Sequence, residues 1–195
     1  MMALTAIAGR VWAMETPSME TPSMETSNVE ALVVRRATLD DAAGVARVLN
    51  EAILGDAPSL LDTAFSDDDE RAYIAALPER AFIHVAELPG EGIVGVETVT
   101  TEADYSTHEL DHVATMGTWV AARRRRHGIG RRLAEASFAA AREVGFEKIF
   151  TDIRADNVAS LGFHLSLGFV VVGTARRHAK AGERYVDVVF VEKFL

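Results

Sequence analysis

Apolar residues change their spacing several times along the chain, and each change marks an element. From Ala31 to Arg36 a short β-rich run reads as a strand, and Thr38 with Asp41 three residues on resembles a capping box opening a helix through about Leu49. Ser66 and Asp69 repeat the device before a helix to about Ala76. Phe82 to Glu87 and Ile93 to Thr100 are predicted strands, joined through Pro89-Gly90-Glu91-Gly92 as a hairpin. Val113 to Ala122 is a further strand. After an Arg- and Gly-rich turn, Ile129, Leu133, Ala136, Ala140 and Val144 recur at helical spacing until Gly145. Lys148 to Arg154 reads as a strand, Asn157 to Leu167 as a helix stopped by Gly168, Phe169 to Thr174 as a strand and Tyr185 to Phe194 as a closing strand. Hairpins first and β-α-β-α-β after them predict an α/β domain, a mixed sheet with helices on both faces.

Residues Met14 to Asn28 read METPS METPS METSN, three near-copies of a Ser-, Thr- and Pro-rich unit with little to bury. The expected organisation is a disordered low-complexity tail over 1–28 and one domain over 29–195. A chain of 195 residues, 49% hydrophobic, is long enough for one sizeable core. With no cysteine, disulfides, Cys-ligated zinc, iron–sulfur clusters and a Cys nucleophile are excluded. No apolar run approaches the ~20 residues of a bilayer crossing, and Met1 to Val11 lacks a clear signal-peptide core. The expected compartment is the cytoplasm, with no membrane partner.

Net charge is −9, but it is unevenly spread: residues 1–110 hold 6 basic and 20 acidic side chains, residues 111–195 hold 14 and 9. The second half is built to meet an anion. Its sharpest feature is Arg123-Arg124-Arg125-Arg126-His127-Gly128-Ile129-Gly130-Arg131-Arg132, between a strand and an amphipathic helix. The glycines let a ligand approach the backbone, the first-turn N–H groups have no helical partner, and six arginines are expected to surround the resulting cradle. A solvated Arg-rich loop is the competing reading of the same residues. G-x-x-x-x-G-K-[ST] is absent, and Leu133 stands where a dinucleotide fingerprint needs its third small residue. A nucleic-acid surface would interleave aromatics with the basic residues, and this run has none, so no nucleic-acid partner is expected.

Arg125-Arg126-His127-Gly128-Ile129-Gly130 matches R/Q-x-x-G-x-G/A, the pyrophosphate-binding signature of the GNAT family of N-acetyltransferases, at the place where that family carries it. Twenty-seven residues past Gly130 begins Asn157-Val158-Ala159-Ser160-Leu161-Gly162-Phe163-His164-Leu165-Ser166-Leu167-Gly168-Phe169, which resembles the family's second signature, N-x-x-[AS]-x-x-[FL]-Y-x-x-x-G-F. The resemblance covers about Val33 to Leu195. Within the family, the ending Gly182-Glu183-Arg184-Tyr185-Val186-Asp187-Val188-Val189-Phe190 is similar to the amino-acid N-acyltransferase branch that includes phosphinothricin acetyltransferases.

The resemblance implies a mostly antiparallel central sheet with one splayed parallel pair, here Val113–Ala122 and Lys148–Arg154, and acetyl-CoA as co-substrate, its pantetheine arm lying in the gap. Main-chain groups of Trp119 and Val120 would hold that arm, and N–H groups from Arg126 to Arg131, around His127, Gly128, Ile129 and Gly130, would hold the pyrophosphate. Arg125 belongs to the same motif; Asn157, Ser160 and Phe163 would approach the pantetheine from the next helix. The family's tyrosine seven residues after the asparagine is here His164, which either protonates the departing thiolate or fills space beside the sulfur. The implied activity is transfer of an acetyl group to the primary amine of a small molecule, an amino acid or analogue.

The general base is less legible. Where the phosphinothricin-like branch carries a glutamate, five residues before Val120, this chain has Thr115. Glu97, in mid-strand between Val96 and Thr98, is the candidate, expected to face the acceptor pocket or else solvent. Asp111 and His112 are further candidates. The run His108 to His112 lacks H-E-x-x-H spacing, and no metal is expected. Tyr105, Trp119 and Tyr185 are candidate walls of the acceptor site, and the loops 54–66 and 101–112 are where acceptor choice would lie. A homodimer is expected, with Val186, Val188 and Phe190 either at its interface or in the core. Thr115 and His164 keep open a second function, an acyl-CoA-binding sensor of the same fold.

Overall fold

In a computed structural model, residues 31–55, 58–101 and 108–195 are described. The Met-Glu-Thr-Pro-Ser repeats and Tyr105 lie outside them. Among the described residues seven strands and four α-helices run in the order β1 (Val33–Arg36), α1 (Ala42–Ile53), α2 (Asp67–Ala75), β2 (Phe82–Leu88), β3 (Gly92–Thr101), β4 (Val113–Val120), α3 (Ile129–Glu143), β5 (Lys148–Arg154), α4 (Val158–Ser166), β6 (Val170–Ala181) and β7 (Arg184–Phe194).

Both expected caps form, though the first opens differently. Asp41 Oδ2 accepts from the Thr38 N–H at 2.7 Å and from its hydroxyl at 3.0 Å, but residues Leu39–Asp41 make a 3-10 turn and α1 begins only at Ala42. Arg35 forks the same carboxylate at 2.7 and 2.8 Å. These bonds hold the Asp41 pKa down at about 2 and tie β1 to the start of the helix. At Ser66 the box is complete, the hydroxyl accepting from Asp69 N–H at 3.1 Å and the Ser66 N–H donating to Asp69 Oδ2 at 3.0 Å.

The sheet order is β1-β2-β3-β4-β5-β7-β6, antiparallel throughout except for the pair β4–β5. On one face Val45, Val48 and Leu49 of α1 pack on Ile83, Val85 and Val96. On the other, Ala134, Phe138 and Ala141 of α3 meet Ile149, Ile153, Phe169, Val189 and Val191, with Leu161 and Phe163 of α4 against the same cluster. The N-terminal turn of α3 sits close to the sheet because Gly95 has no side chain: a Cβ there would lie 3.0 Å from both Ile129 and Leu133. That approach fixes where the glycine motif stands.

Strand β6 is much longer than the sequence pattern predicts. Its period of two is broken at two bulges, and at the second Arg177 takes a left-handed φ of 53° while its N–H donates to Asp187 at 2.7 Å. Strand β7 therefore lies inside the sheet between β5 and β6. Val186 and Val188 are buried core residues rather than an interface, and Phe190 stacks on Phe150 at 5.6 Å. Among the described residues no helix is long and apolar enough to cross a membrane.

Candidate functional site

The β4–β5 ladder holds only two pairs, Val113 with Lys148 and Ala114 with Ile149. Where it breaks, the Thr151 hydroxyl donates to the Met116 carbonyl at 2.8 Å and takes the place of a strand bond. Beyond that point the strands diverge, so Gly117 to Val120 have no ladder partner on the side of β5. Unpaired strand edges of this kind accept an extended chain. At the wide end of the gap the chain turns into α3.

There Gly128 adopts φ +78°, which an L side chain would strain against, and a Cβ on it would meet nothing within 4 Å. The first intrahelical bond is Arg132 N–H to the Gly128 carbonyl at 3.1 Å, so the N–H groups of Ile129, Gly130 and Arg131 have no helical partner. They face a cavity of about 230 Å³ lined by Val120, Arg124, Arg126, Gly128, Ile129, Gly130, Arg131 and Phe163. Gly130 brings the two sequence motifs together, since its Cβ would come within 3.2 Å of the Phe163 ring. Partial positive charge at a helix start, a concavity with no side chain in it and flanking arginines fit a polyanion such as a pyrophosphate.

The arginines do not all surround this cradle, which corrects the sequence expectation. Glu91, in the β2–β3 turn, pairs with Arg123 at 3.3 Å and with Arg124, and holds its own carboxyl pKa below the usual range through those bonds. Arg125 Nε donates to the Val120 carbonyl at 3.1 Å and so fixes the end of β4. Arg132 reaches the Leu32 carbonyl at 2.8 Å. Arg124, Arg126 and Arg131 line the cavity, Arg131 also touching Ser166 at 3.4 Å. His127 is exposed, its Nδ1–H donating to the Arg125 carbonyl at 2.7 Å.

On α4, Asn157 does two things at once. Its Oδ1 accepts from the Ser160 N–H at 3.0 Å as helix cap, and its Nδ2 donates to the Pro58 carbonyl at 2.7 Å. His164, 4% exposed, stands edge-on to Phe163 and Phe169 with centroids 5.3 and 5.1 Å away. Its Nδ1 lies 2.8 Å from the Ser160 carbonyl, and a carbonyl can only accept, so Nδ1 carries the proton. Burial pushes the pKa down, the ring is neutral near pH 7, and among the described residues the buried Nε2 has no hydrogen-bond partner. In this state Nε2 can accept a proton or a hydrogen bond but has none to donate.

Glu97 is placed otherwise than expected. Val96 and Trp119 turn to the α1 face, whereas His84, Glu97 and Thr118, adjacent in register on β2, β3 and β4, turn to α3. There Glu97 is wholly buried, its Oε2 accepting from the Thr118 hydroxyl at 2.8 Å and its Oε1 without a partner among the described residues. Burial raises its pKa to about 7, against the opposing help of Thr118 and of Ser137 on α3, which also bonds His84 at 2.9 Å. Glu97 thus opens on no pocket, and half-buried Thr118 on the splayed strand is its one bridge toward the gap. Thr118 and Thr151 stand beside the divergence where motif spacing does not reveal them; the signal for them is the strand alternation around that point.

Tyr185 is half exposed on the β6–β7 hairpin under the Arg177 guanidinium, 4.3 Å from its ring. His108 bonds Asp111 at 3.0 Å on the surface, and among the described residues no three His, Asp or Glu are grouped to hold a metal.

The model of the acetyltransferase (GNAT) family matches residues 48–169, spanning both motifs and the divergent strands. The L-amino acid N-acyltransferase MnaT of Escherichia coli (strain K12) is 26% identical over 160 residues, 82% of this chain and 91% of its own. In fold, the chain is similar to YncA of Salmonella typhimurium, solved with its cofactor acetyl-CoA, at a TM-score of 0.77 and 23% identity over 84% of this chain and 94% of that one. It is likewise similar to a phosphinothricin acetyltransferase from Sinorhizobium meliloti in complex with acetyl-CoA, at 0.77 and 17% over 85% and 89%. With a helix-start cradle at the mouth of a strand gap and both motifs lining it, the chain belongs to the GNAT acetyltransferase family and is an acyltransferase.

Proposed function

We propose that the protein transfers the acetyl group of acetyl-CoA to the primary amine of a small molecule, an L-amino acid or analogue, by direct attack in a ternary complex. The observation that carries this is the gap that opens between β4 and β5 at Met116 and ends against the α3 cradle. It is a slot for an extended arm joined to a pocket for its phosphates. The relatives support the substrates: one is named for L-amino acids and two were solved with acetyl-CoA.

In this reading the Ile129, Gly130 and Arg131 N–H groups with Arg126 hold the pyrophosphate, Trp119 and Val120 main-chain groups hold the arm, and Asn157, Ser160 and Phe163 form the opposite wall. A free alkylammonium has a pKa of about 10.4 and no lone pair, so one proton must pass to solvent before attack, and a second leaves the nitrogen as the amide forms. As the amine nitrogen bonds to the carbonyl carbon, the bare Nε2 of His164 receives the amine proton. When the C–S bond breaks, the imidazolium passes that proton to the thiolate and returns to its neutral form. Glu97, working through the Thr118 hydroxyl, is the alternative first acceptor.

A donor-binding sensor without turnover is the second reading, favoured by Thr115 in place of the branch's glutamate and by the burial of Glu97. Release of thiol from acetyl-CoA, with and without an equimolar mixture of the twenty standard L-amino acids, separates the two. Amine-dependent thiol supports the enzyme, and saturable binding with no thiol supports the sensor. The same reading places the protein in the cytoplasm, where acetyl-CoA is made. It also places it in a homodimer, for which exposed Val170, Val171 and Val172 on the outermost strand β6 offer an edge.

A further inference from the structure

Three side chains at the wide end of the β4–β5 gap make long-range bonds that neither motif requires. Arg154, the last residue of β5, is only 12% exposed in its side chain, and all three of its guanidinium nitrogens are bonded. Nε and Nη2 fork Asp156, both at 2.9 Å, and Nη1 donates to the Ser59 carbonyl at 2.9 Å. The same Asp156 oxygen that accepts from Arg154 Nη2 accepts from Arg184 at 2.7 Å, at the turn of the β6–β7 hairpin. One residue further, Asn157 Nδ2 holds the Pro58 carbonyl at 2.7 Å. Residues 58–66, which lead from α1 to α2, are thereby fastened to the β5–α4 turn by two side chains acting on consecutive carbonyls. The Ser59 hydroxyl, accepting from the Leu61 N–H at 3.0 Å, stiffens the fastened end.

The position of this clasp says what it is for. Helices α3 and α4 pack on one face of the sheet and α1, with Phe65 of the 58–66 segment, on the other; the Arg154 and Asn157 bonds set Pro58 and Ser59 at the C-terminal end of β5, where the gap is wide, so an amine entering from the α1 face would pass this segment. Because Arg154 commits its Nε–Nη2 fork to Asp156 and its Nη1 to a carbonyl, that fork is not open to a substrate carboxylate. It acts through the loop.

We propose that Arg154 is a positioning residue for the acceptor amine. By joining Asp156 to the Ser59 carbonyl it holds residues 58–66 at the mouth of the β4–β5 gap, and with Asn157, whose other end caps α4 on the donor side, it couples the order of that loop to donor binding. The amine part of this inference rests on the acetyltransferase reading above; the clasp does not. A ligand that orders Asn157 orders the loop that Asn157 holds, and by linkage a fixed loop favours that ligand.

The test is amide hydrogen exchange over residues 58–66, with and without 1 mM acetyl-CoA, in wild type, Arg154→Ala, Arg154→Lys and Asp156→Asn. Losing a charge-assisted bond to a carbonyl and a forked pair, Arg154→Ala should exchange this segment about tenfold or more faster, with α3 and β5 unchanged. Acetyl-CoA should slow the segment in wild type and less so in Arg154→Ala, where Asn157 alone still holds the Pro58 carbonyl. Lysine, a point donor without the fork, should not restore protection, and Asp156→Asn should lie between. In thiol release with the L-amino-acid mixture, the apparent KM of Arg154→Ala should rise about tenfold, with kcat and calorimetric acetyl-CoA affinity within about threefold. Unchanged exchange over 58–66 in Arg154→Ala overturns the clasp. A fall in kcat at constant KM overturns the positioning role. If wild type neither binds acetyl-CoA nor turns over, the acetyltransferase reading fails, while the exchange comparison of the unliganded proteins still decides the clasp.

Discussion

Replacing Glu97 with glutamine should make the protein more stable at high pH and change it little at low pH. The folded state raises this carboxyl from 4.5 to about 7 because the side chain is wholly buried, and the hydrogen bonds of Thr118 and Ser137 oppose that only in part. Between those values the folded protein keeps a proton that the unfolded chain has released. Stability therefore falls as pH rises through the window, and the whole cost is present above about 7. At 1.36 kcal/mol per pKa unit the cost comes to about 3 kcal/mol. A domain of this size moves about 2–4 °C in Tm per kcal/mol, so the penalty is worth roughly 6–12 °C. The glutamine amide carries no charge, can still accept from the Thr118 hydroxyl and offers N–H groups toward Ser137. Thermal unfolding of both proteins at pH 5 and pH 8.5 reads the effect as the change in their Tm difference, in which all other titrating groups cancel. His84, its pKa pushed down to about 4 by burial, stays neutral at both. A Tm difference that is the same at both pH values would refute the reasoning and leave Glu97 charged and paired.

His164→Phe keeps an aromatic ring between Phe163 and Phe169. It should cut turnover by about 10²-fold or more while acetyl-CoA affinity stays within a few-fold, read by thiol release and calorimetry; full activity would reduce the histidine to packing. Gly130→Glu puts a Cβ 3.2 Å from the Phe163 ring and a carboxylate in the cradle, so acetyl-CoA titration should show no binding in a variant whose circular dichroism remains native. Asp41→Asn loses the fork with Arg35 and should cost about 1–2 kcal/mol in denaturant unfolding at pH 7. Because the Asp41 pKa is lowered to about 2, the charged form stabilises above the ordinary carboxylate pKa. The difference should shrink as pH falls toward 2.

Most of the fold can be read from spacing because each helix is amphipathic in one direction only and is opened by a local signal. The Ser66–Asp69 and Thr38–Asp41 boxes are made within four residues, and so is the Asn157 cap. Strand β6 outruns its sequence pattern because Arg176, Arg177 and His178 fall in a bulge, where side-chain alternation no longer reports the backbone. The cradle is legible in Gly128 and Gly130, since backbone approach needs those residues in any context. The direction of each arginine is not, because Glu91 lies more than thirty residues away and captures Arg123 and Arg124 only through the β2–β3 turn. The face of Glu97 follows from register with His84 and Thr118, a pairing fixed by the whole sheet. The proton state of His164 depends on a carbonyl one helical turn back, which a motif does not display.

Calorimetric titration of the purified protein with acetyl-CoA is the most direct test of the central claim that the α3 cradle and the β4–β5 gap together form a donor site. Saturable binding at one site per chain, weakened as salt rises because arginines meet phosphates, is the predicted result. Absence of binding at millimolar acetyl-CoA in the folded protein would contradict it.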